Sequence, residues 1–200
     1  MQKRSDIIIS QVNTMNTLIR RLLDDIKTTR KEKSCGDRFD SFQKLLKIAE
    51  IKPEEIYPLW NEICEKLESP NSFHKYHAVL LLPRLVKADI QRKIDSILDK
   101  LTNLLEDKSF IVVINTANNL GRIAKERTDL ESKITYALLG ISKTKHKHKD
   151  LLKSGAVLSF QEYFTKSKNQ EKIKKFVEDL VSSSDSPKAK KVAQEFLRNC

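Results

Sequence analysis

A 38-residue repeat is the feature of this chain that most restricts its fold. Two columns of large apolar residues recur at this interval: Ile63, Leu101, Leu139 and Val177, and Leu82, Leu120, Leu158 and Phe196. A third column holds small residues: Val79, Ala117, Gly155 and Ala193. Repeats of this length are typical of proteins whose neighbouring units stack and bury one continuous core. The sequence therefore predicts a repeat protein.

Each copy of the repeat contains two amphipathic segments. Apolar residues recur three and four positions apart, as in Ile94, Ile97, Leu101 and Leu104, and again in Val113, Ala117, Leu120 and Ile123. This spacing places one apolar stripe on an α-helix. Turn-forming residues separate the segments at 34–37, 68–72, 106–109 and 182–187, and Asp37, Ser72 and Ser109 are the expected helix N-caps. Each copy is therefore expected to form a helix–turn–helix unit.

Composition agrees with a helical chain and excludes several classes of protein. Four glycines and five prolines are too few for the many turns of an all-β fold. The apolar runs are far shorter than the ~18 residues of a membrane span, so no membrane segment is expected. Cys35, Cys64 and Cys200 are odd in number and contain no CxxC pair, which argues against a disulfide framework or a zinc site. We expect a cytoplasmic protein without cofactor or metal.

The chain resembles the HEAT-repeat family. The period fits, each unit reads as helix–turn–helix, and the segment DKSFIVVINTANNLGRIAKE at 107–126 is similar to the turn and second helix of a HEAT unit. The fold class expected is all-α, a right-handed α-α superhelix (solenoid) of about five HEAT-like two-helix repeats in one domain. The units are placed at approximately 5–50, 51–88, 89–126, 127–165 and 166–200.

The same register aligns polar residues on the second helix of each unit. One column holds His77, Asn115, Lys153 and Lys191, and another holds Arg84, Arg122 and Arg198, with Phe160 as the exception. The resemblance implies that second helices line a concave surface, which would make it a polar, basic groove with Asn118 and Asn119 adding amides. Exposed positions of any helix are also often Lys or Arg because these residues favour helices. Both interpretations remain open.

The stretch SKTKHKHKD at 142–150 falls between the two helices of the fourth unit. Its Lys143, Lys145, Lys147 and Lys149 fit three interpretations. The first is a solvated turn, and the second is a contact with phosphates or an acidic protein surface. The third is a metal site through His146 and His148, which the lack of an adjacent carboxylate or cysteine disfavours.

The net charge of +11 favours acidic partners. No phosphate-binding glycine loop and no HExxH or GxSxG motif occurs, so no enzyme is expected. The favoured function is a non-catalytic HEAT-repeat scaffold that binds a protein, an acidic one in particular, through the basic face of its second helices. One alternative is a nucleic-acid-binding protein. A third interpretation, left open by a similarity in architecture and charge, is an enzyme related to the alkylpurine DNA glycosylases. The last helix lacks a polar cap, which predicts an apolar edge where a second copy or another partner docks.

Overall fold

The computed structural model describes the backbone of residues 2–27 and 34–200. It describes the side chains of residues 14–27, 34 and 36–200. The helices are α1 Gln2–Lys27, α2 Cys35–Ile51, α3 Pro53–Ile56, α4 Trp60–Glu65, α5 Ser72–Leu85, α6 Ile94–Asn103, α7 Phe110–Glu126, α8 Glu131–Leu139, α9 Lys149–Gln161, α10 Gln170–Ser183 and α11 Pro187–Arg198. Short 3₁₀ segments extend several of them. The described residues contain no β-strand, so the predicted all-α class is confirmed.

The second helices of successive units, α2, α5, α7, α9 and α11, pack side by side in one layer. They run parallel, because contacts between neighbours advance in step along both chains. The Lys75 ammonium donates to Asp107, and the Arg84 guanidinium, further along α5, donates to Asn119, further along the next unit. Residue numbers therefore increase in the same direction along α5 and α7. The first helices form a second layer, and the two layers enclose one continuous apolar core. The chain is a helical-repeat solenoid.

Helix starts are capped by side chains that differ in part from those predicted. Ser34 caps α2, with its Oγ accepting a bond of 3.0 Å from the Asp37 amide, so Asp37 lies in the first turn. Asn71 caps α5 in place of Ser72, accepting from the Phe73 amide at 2.9 Å. Ser109 occupies the N-cap position of α7, but its side chain makes no capping bond. The Asp107 carboxylate accepts from the Ser109 amide at 2.8 Å instead.

Small residues allow α7 and α9 to approach closely. A Cβ atom added to Gly121 would lie 2.1 Å from the carbonyl oxygen of Ser159. The Gly121 amide donates to Ser159 Oγ at 2.9 Å, and that hydroxyl donates to the carbonyl of Ala117 at 2.5 Å. A Cβ at Gly155 would likewise meet Asn118 and Ile114. The small column of the sequence is thus explained by interhelix packing.

The fourth unit departs from the 38-residue register. Leu151, Leu158 and Glu162 are at least partly exposed and follow Ile111, Asn118 and Arg122 by forty residues. Ile141 follows Leu104 by only thirty-seven residues. The two residues are equivalent, because the carbonyl of each accepts a hydrogen bond from the amide three residues later at the end of its 3₁₀ segment. The connection before α9 is therefore three residues longer than the one before α7.

This insertion changes which side chains α9 exposes. A two-residue offset from the 38-residue register rotates a helix by about 200°. Phe160, which the register aligned with the arginines, is fully buried and packs edge-on against Phe176 at 5.7 Å. Leu158, which the register placed in a core column, is 41% exposed. Glu162 takes the place on α9 that Arg122 has on α7.

A buried carboxylate connects the last two units. Glu131, in the first turn of α8, accepts hydrogen bonds from Ser167 Oγ at 2.5 Å and from Thr135 Oγ1 at 2.8 Å, and the Asn169 amide also donates to it. Burial alone would raise the pKa of Glu131, but these hydrogen bonds outweigh it and hold the pKa below its usual range. Glu131 therefore fixes α8 to the segment that precedes α10.

No described helix is long and apolar enough to cross a membrane. Cys64 and Cys200 are free thiols, while the side chain of Cys35 lies outside the described residues. The last helix does not present the apolar edge that the sequence predicted. Its Ala189, Ala193 and Phe196 are buried, and none of its large hydrophobic residues is fully exposed. The predicted docking of a second copy at this end therefore lacks the surface on which it was based.

Candidate partner-binding face

The side of the second helices turned away from the first helices is the surface where functional residues were predicted. We call it the second-helix face. On α7 it carries Ile111, Asn118 and Arg122, seven and four residues apart, while Val113 and Leu120 on the opposite side are buried. The spacing places the three on one side of the helix.

Exposed apolar side chains form a row on this face. Phe39 on α2 is 56% exposed, Phe73 on α5 is 58%, Ile111 on α7 is 37% and Leu158 on α9 is 41%. Phe73 and Ile111 lie in the first turn of their helices and Phe39 lies near the start of α2, whereas Leu158 lies in the second half of α9, at the position that Asn118 has on α7. An apolar row that spans several units of a repeat protein is typical of an interaction surface. We call these four residues the apolar row.

Two of the predicted basic residues are already paired with a carboxylate. Glu50, on α2, accepts from Arg84 Nε at 3.0 Å, and each of its oxygens accepts from Arg122 Nη1, at 2.9 and 3.0 Å. Burial alone would raise the pKa of Glu50, but the hydrogen bond from Arg122 and both positive charges hold it below its usual range. Arg84 and Arg122 thus lie on the predicted face, and both are paired there with Glu50, whose single negative charge offsets one of their two positive charges.

Asn119 is a structural partner of this cluster and is only 6% exposed. Its Oδ1 accepts from Arg84 Nη1 at 3.1 Å, and its Nδ2 donates to the carbonyl of Asn115 at 2.8 Å. Asn115 in turn donates to the Ile111 carbonyl. The two amides therefore make bonds within the protein, and the expectation that Asn119 is an exposed contact residue is not met.

His77 was expected on the exposed face but is half-buried. Its ring lies 4.2 Å from the Phe42 ring, centroid to centroid, and its Nδ1 is buried without a hydrogen-bond partner. Burial, aided by nearby positive charges such as Lys66, lowers the pKa of His77 to about 3. The ring is therefore uncharged at neutral pH and adds no positive charge to the face.

The structure divides the remaining predicted residues of the columns between two sides. Lys191 and Arg198, seven residues apart on α11, are exposed on the same side of that helix. Lys153 on α9 is half-buried and lies on the side of Phe160, because the fourth unit is rotated. None of the three has an ion-pair partner within the described part of the chain.

The Lys-His turn, residues 142–150, is fixed to the neighbouring unit through its histidines. His146 Nε2 lies 3.0 Å from the carbonyl oxygen of Asp107, and the His148 ring packs edge-on against Phe110 at 5.3 Å. Lys143, Lys145 and Lys147 are exposed and Lys149 is half-buried. The two histidines thus have separate packing roles, and no group of three or more metal-ligating residues occurs among the described residues.

Sequence reasoning missed Glu50 and the apolar row. Nothing in the sequence connects Glu50 with Arg122, which is 72 residues away. The apolar row did leave a signal, since Phe39, Phe73 and Ile111 fall outside the apolar stripes of their helices. A helical-wheel comparison of each second segment would have shown them as exposed.

Comparison with known proteins supports the solenoid. The structure is similar to the designed armadillo repeat protein YIII(Dq)4CqI, with a TM-score of 0.59 and 17% identity over 94% of this chain and 91% of that chain. It is also similar to the designed armadillo repeat protein YIII(Dq.V1)4CPAF in complex with the peptide (KR)4, with a TM-score of 0.56 and 16% identity over 97% and 93% of the two chains. No family model and no curated protein matches the sequence. The fold is thus a helical-repeat solenoid of armadillo-like form, and the expected assignment to HEAT units in particular is not confirmed.

Proposed function

We propose that this protein is a non-catalytic repeat scaffold that binds an extended segment of a protein partner along its second-helix face. The apolar row carries the proposal. Its four side chains come from four successive second helices and remain exposed although the core beneath them is closed. Phe73 and Ile111 hold the same position of their units, and Leu158 holds the position of Asn118, so an extended segment that crosses the stacked parallel helices can contact these units in turn.

The neighbouring solved structures support this choice of partner class. One of them is a designed armadillo repeat protein in complex with a peptide. The peptide in that complex is basic, whereas this chain has a net charge of +11, so the charge preference of this protein must come from its own surface. The unpaired lysines keep nucleic acid as the competing partner class.

Selection of random displayed peptides against the full chain tests the proposal. Selected peptides should bind the wild type and lose at least about tenfold in affinity for the double variant Phe73→Asp, Ile111→Asp, because each aspartate places a charge in the apolar row. Ile90→Asp is the matched control, since Ile90 is 93% exposed and lies between α5 and α6. Circular dichroism checks that the variants fold.

Two outcomes would contradict the proposal. One is that the selected peptides bind the double variant as tightly as the wild type. The other is that no peptide is selected while labelled duplex DNA or single-stranded RNA binds at physiological salt with a steep salt dependence.

A further inference from the structure

The cations of the ion pairs among the described residues are confined to one part of the chain. The cations of the described ion pairs all lie between Arg20 and Lys133. From Lys143 to Arg198 the chain carries fourteen Lys and Arg against seven Asp and Glu. None of those fourteen cations forms an ion pair with the described residues. The excess charge available to a partner is therefore concentrated in the last two units.

The Lys-His turn brings part of this free charge next to the apolar row. His148 packs on Phe110, which directly precedes Ile111 in the first turn of α7. His146 bonds to Asp107, whose carboxylate also binds Lys75 at 2.6 Å near the start of α5. The turn is thus held against the start of α7, which presents Ile111, and Asp107 in turn connects this position to Lys75 on α5. A segment that lies on Phe73 and Ile111 meets lysines when it continues toward α9.

We propose that the partner segment carries a block of acidic residues beside a block of apolar residues, with the acidic block bound by Lys145, Lys147 and Lys149 of the Lys-His turn. The apolar block lies on Phe73 and Ile111. This inference rests on the proposed function and adds the chemistry of the partner. Lysines that are free of internal partners offer their full charge to incoming carboxylates, and complementary charge at the rim of a site favours encounter and sets orientation.

Acidic peptide fits this surface better than a nucleic acid does. A phosphate backbone that followed the whole second-helix face would meet the half-exposed carboxylate of Glu50, which offsets one of the two positive charges of Arg84 and Arg122. It would also meet Glu162, which forms an ion pair with Lys125 at 2.9 Å on the neighbouring helix. A segment with its acidic residues confined to one end avoids both carboxylates. The exposed aliphatic side chains of Ile111 and Leu158 also suit apolar peptide residues.

Fluorescence anisotropy with synthetic block peptides tests the inference. The probe is a labelled peptide of alternating leucine and serine followed by four glutamates, made in both block orders. The comparison peptides carry four lysines in place of the glutamates, or the same residues in scrambled order. The acidic block peptide, in at least one order, should bind about tenfold more tightly than either comparison peptide, with an affinity that falls as salt rises.

Two triple variants that remove the same number of charges show whether binding of the acidic probe depends on where the lysines lie or only on how many there are. Lys145→Gln, Lys147→Gln, Lys149→Gln together should weaken binding of the acidic probe by about tenfold. Lys166→Gln, Lys168→Gln, Lys175→Gln together remove the same charge from exposed positions elsewhere in the last two units and should change binding by less than about threefold. Equal effects of the two triple variants would overturn the assignment to the Lys-His turn.

The remaining outcomes distinguish this inference from the proposed function. If selected random peptides require Phe73 and Ile111 but show no acidic excess and bind the Lys145/Lys147/Lys149 variant normally, the proposed function stands and the inference is overturned. If the selected peptides ignore Phe73 and Ile111, both are overturned. Displacement of the acidic probe by single-stranded or duplex DNA at lower concentration than by unlabelled acidic peptide would also overturn the inference, in favour of nucleic acid.

Discussion

Glu50 and Arg122 are 72 residues apart and form an ion pair that passes over the intervening helix α5. Adjacent packed helices lie about 8–10 Å apart, so α2 and α7 would be about 16–20 Å apart in a flat layer. Two side chains span this distance only if the layer bends toward them. The pair therefore indicates that the second helices curve toward the second-helix face, with Arg84 enclosed between the two partners.

Removing the carboxylate of Glu50 should destabilise the protein. In Glu50→Gln, the Arg84 guanidinium, whose side chain is only 14% exposed, loses its anionic partner, and we expect the free energy of unfolding to fall by about 1–2 kcal/mol. Urea denaturation measures this change. Glu54→Gln is the control, because Glu54 is exposed and has no ion pair with the described residues. An equal effect of both substitutions would show that Glu50 contributes only its net charge.

The same pair gives the stability of the protein a dependence on acid pH. The pKa of Glu50 is lower in the folded state than its ordinary value of 4.5, so the stabilisation is present above about pH 4.5 and is lost as the pH falls through the folded-state pKa. The difference in stability between the wild type and Glu50→Gln should therefore shrink between pH 5 and about pH 3. A difference that stays constant over this range would contradict the assignment.

Gly121 should not tolerate any side chain. In Gly121→Ala the new methyl would overlap the Ser159 carbonyl oxygen at 2.1 Å, which is backbone and must move, so α7 and α9 would separate. We expect a loss of about 2–3 kcal/mol, seen as a lower midpoint in thermal unfolding. Gly140→Ala is the matched control, since no atom lies within 4 Å of its added Cβ. That control should be neutral or slightly stabilising, as alanine restricts the unfolded chain.

His77 should remain uncharged in the folded protein well below neutral pH. Its pKa is about 3 when folded and 6.5 in its ordinary state, so the unfolded chain takes up a proton below pH 6.5 that the folded protein excludes. The contribution of neutral His77 to the free energy of unfolding is therefore complete above pH 6.5 and is lost as the pH falls from 6.5 toward 3. The free energy of unfolding of the wild type should fall by about 2–3 kcal/mol from this source when the pH is lowered from 7 to 4.5.

Phenylalanine at position 77 should remove that dependence. His77→Phe keeps the ring contact with Phe42 and eliminates the buried Nδ1 that lacks a partner, so the variant should be at least as stable at pH 7. Its stability should fall less than that of the wild type when the pH is lowered to 4.5. An NMR titration that showed His77 protonating near pH 6.5 in the folded protein would contradict the prediction.

Cys64 and Cys200 should differ strongly in reactivity. Burial raises the pKa of the Cys64 thiol to about 12, whereas Cys200 is exposed at the end of the chain. In a Cys35→Ser background at pH 8, a thiol-specific chromogenic reagent should react quickly with one cysteine and with the second only on unfolding, because the thiolate is the reactive form. Rapid reaction at two sites in the folded protein would show that the packing around Cys64 opens readily.

The helical architecture could be predicted because it depends on patterns within each unit. Apolar residues such as Ile94, Leu101 and Leu120 recur at helical spacing, and no other secondary structure buries them on one side. The position of α9 could not be predicted from the same pattern. Residues added to a turn leave no mark in the apolar periodicity, yet the two-residue offset from the register rotates α9 by about 200°, which buries Phe160 and exposes Leu158.

The sequence by itself therefore determined that the chain forms stacked pairs of amphipathic helices and that its second helices carry an excess of basic residues. Only the tertiary structure decided which of those charges are available. Arg84 and Arg122 are both paired with Glu50, which lies far away in sequence but close in space, whereas the lysines of the Lys-His turn have no such partner among the described residues. The physical reason is that helical periodicity is local, while ion pairing depends on distances that exist only after the units have stacked.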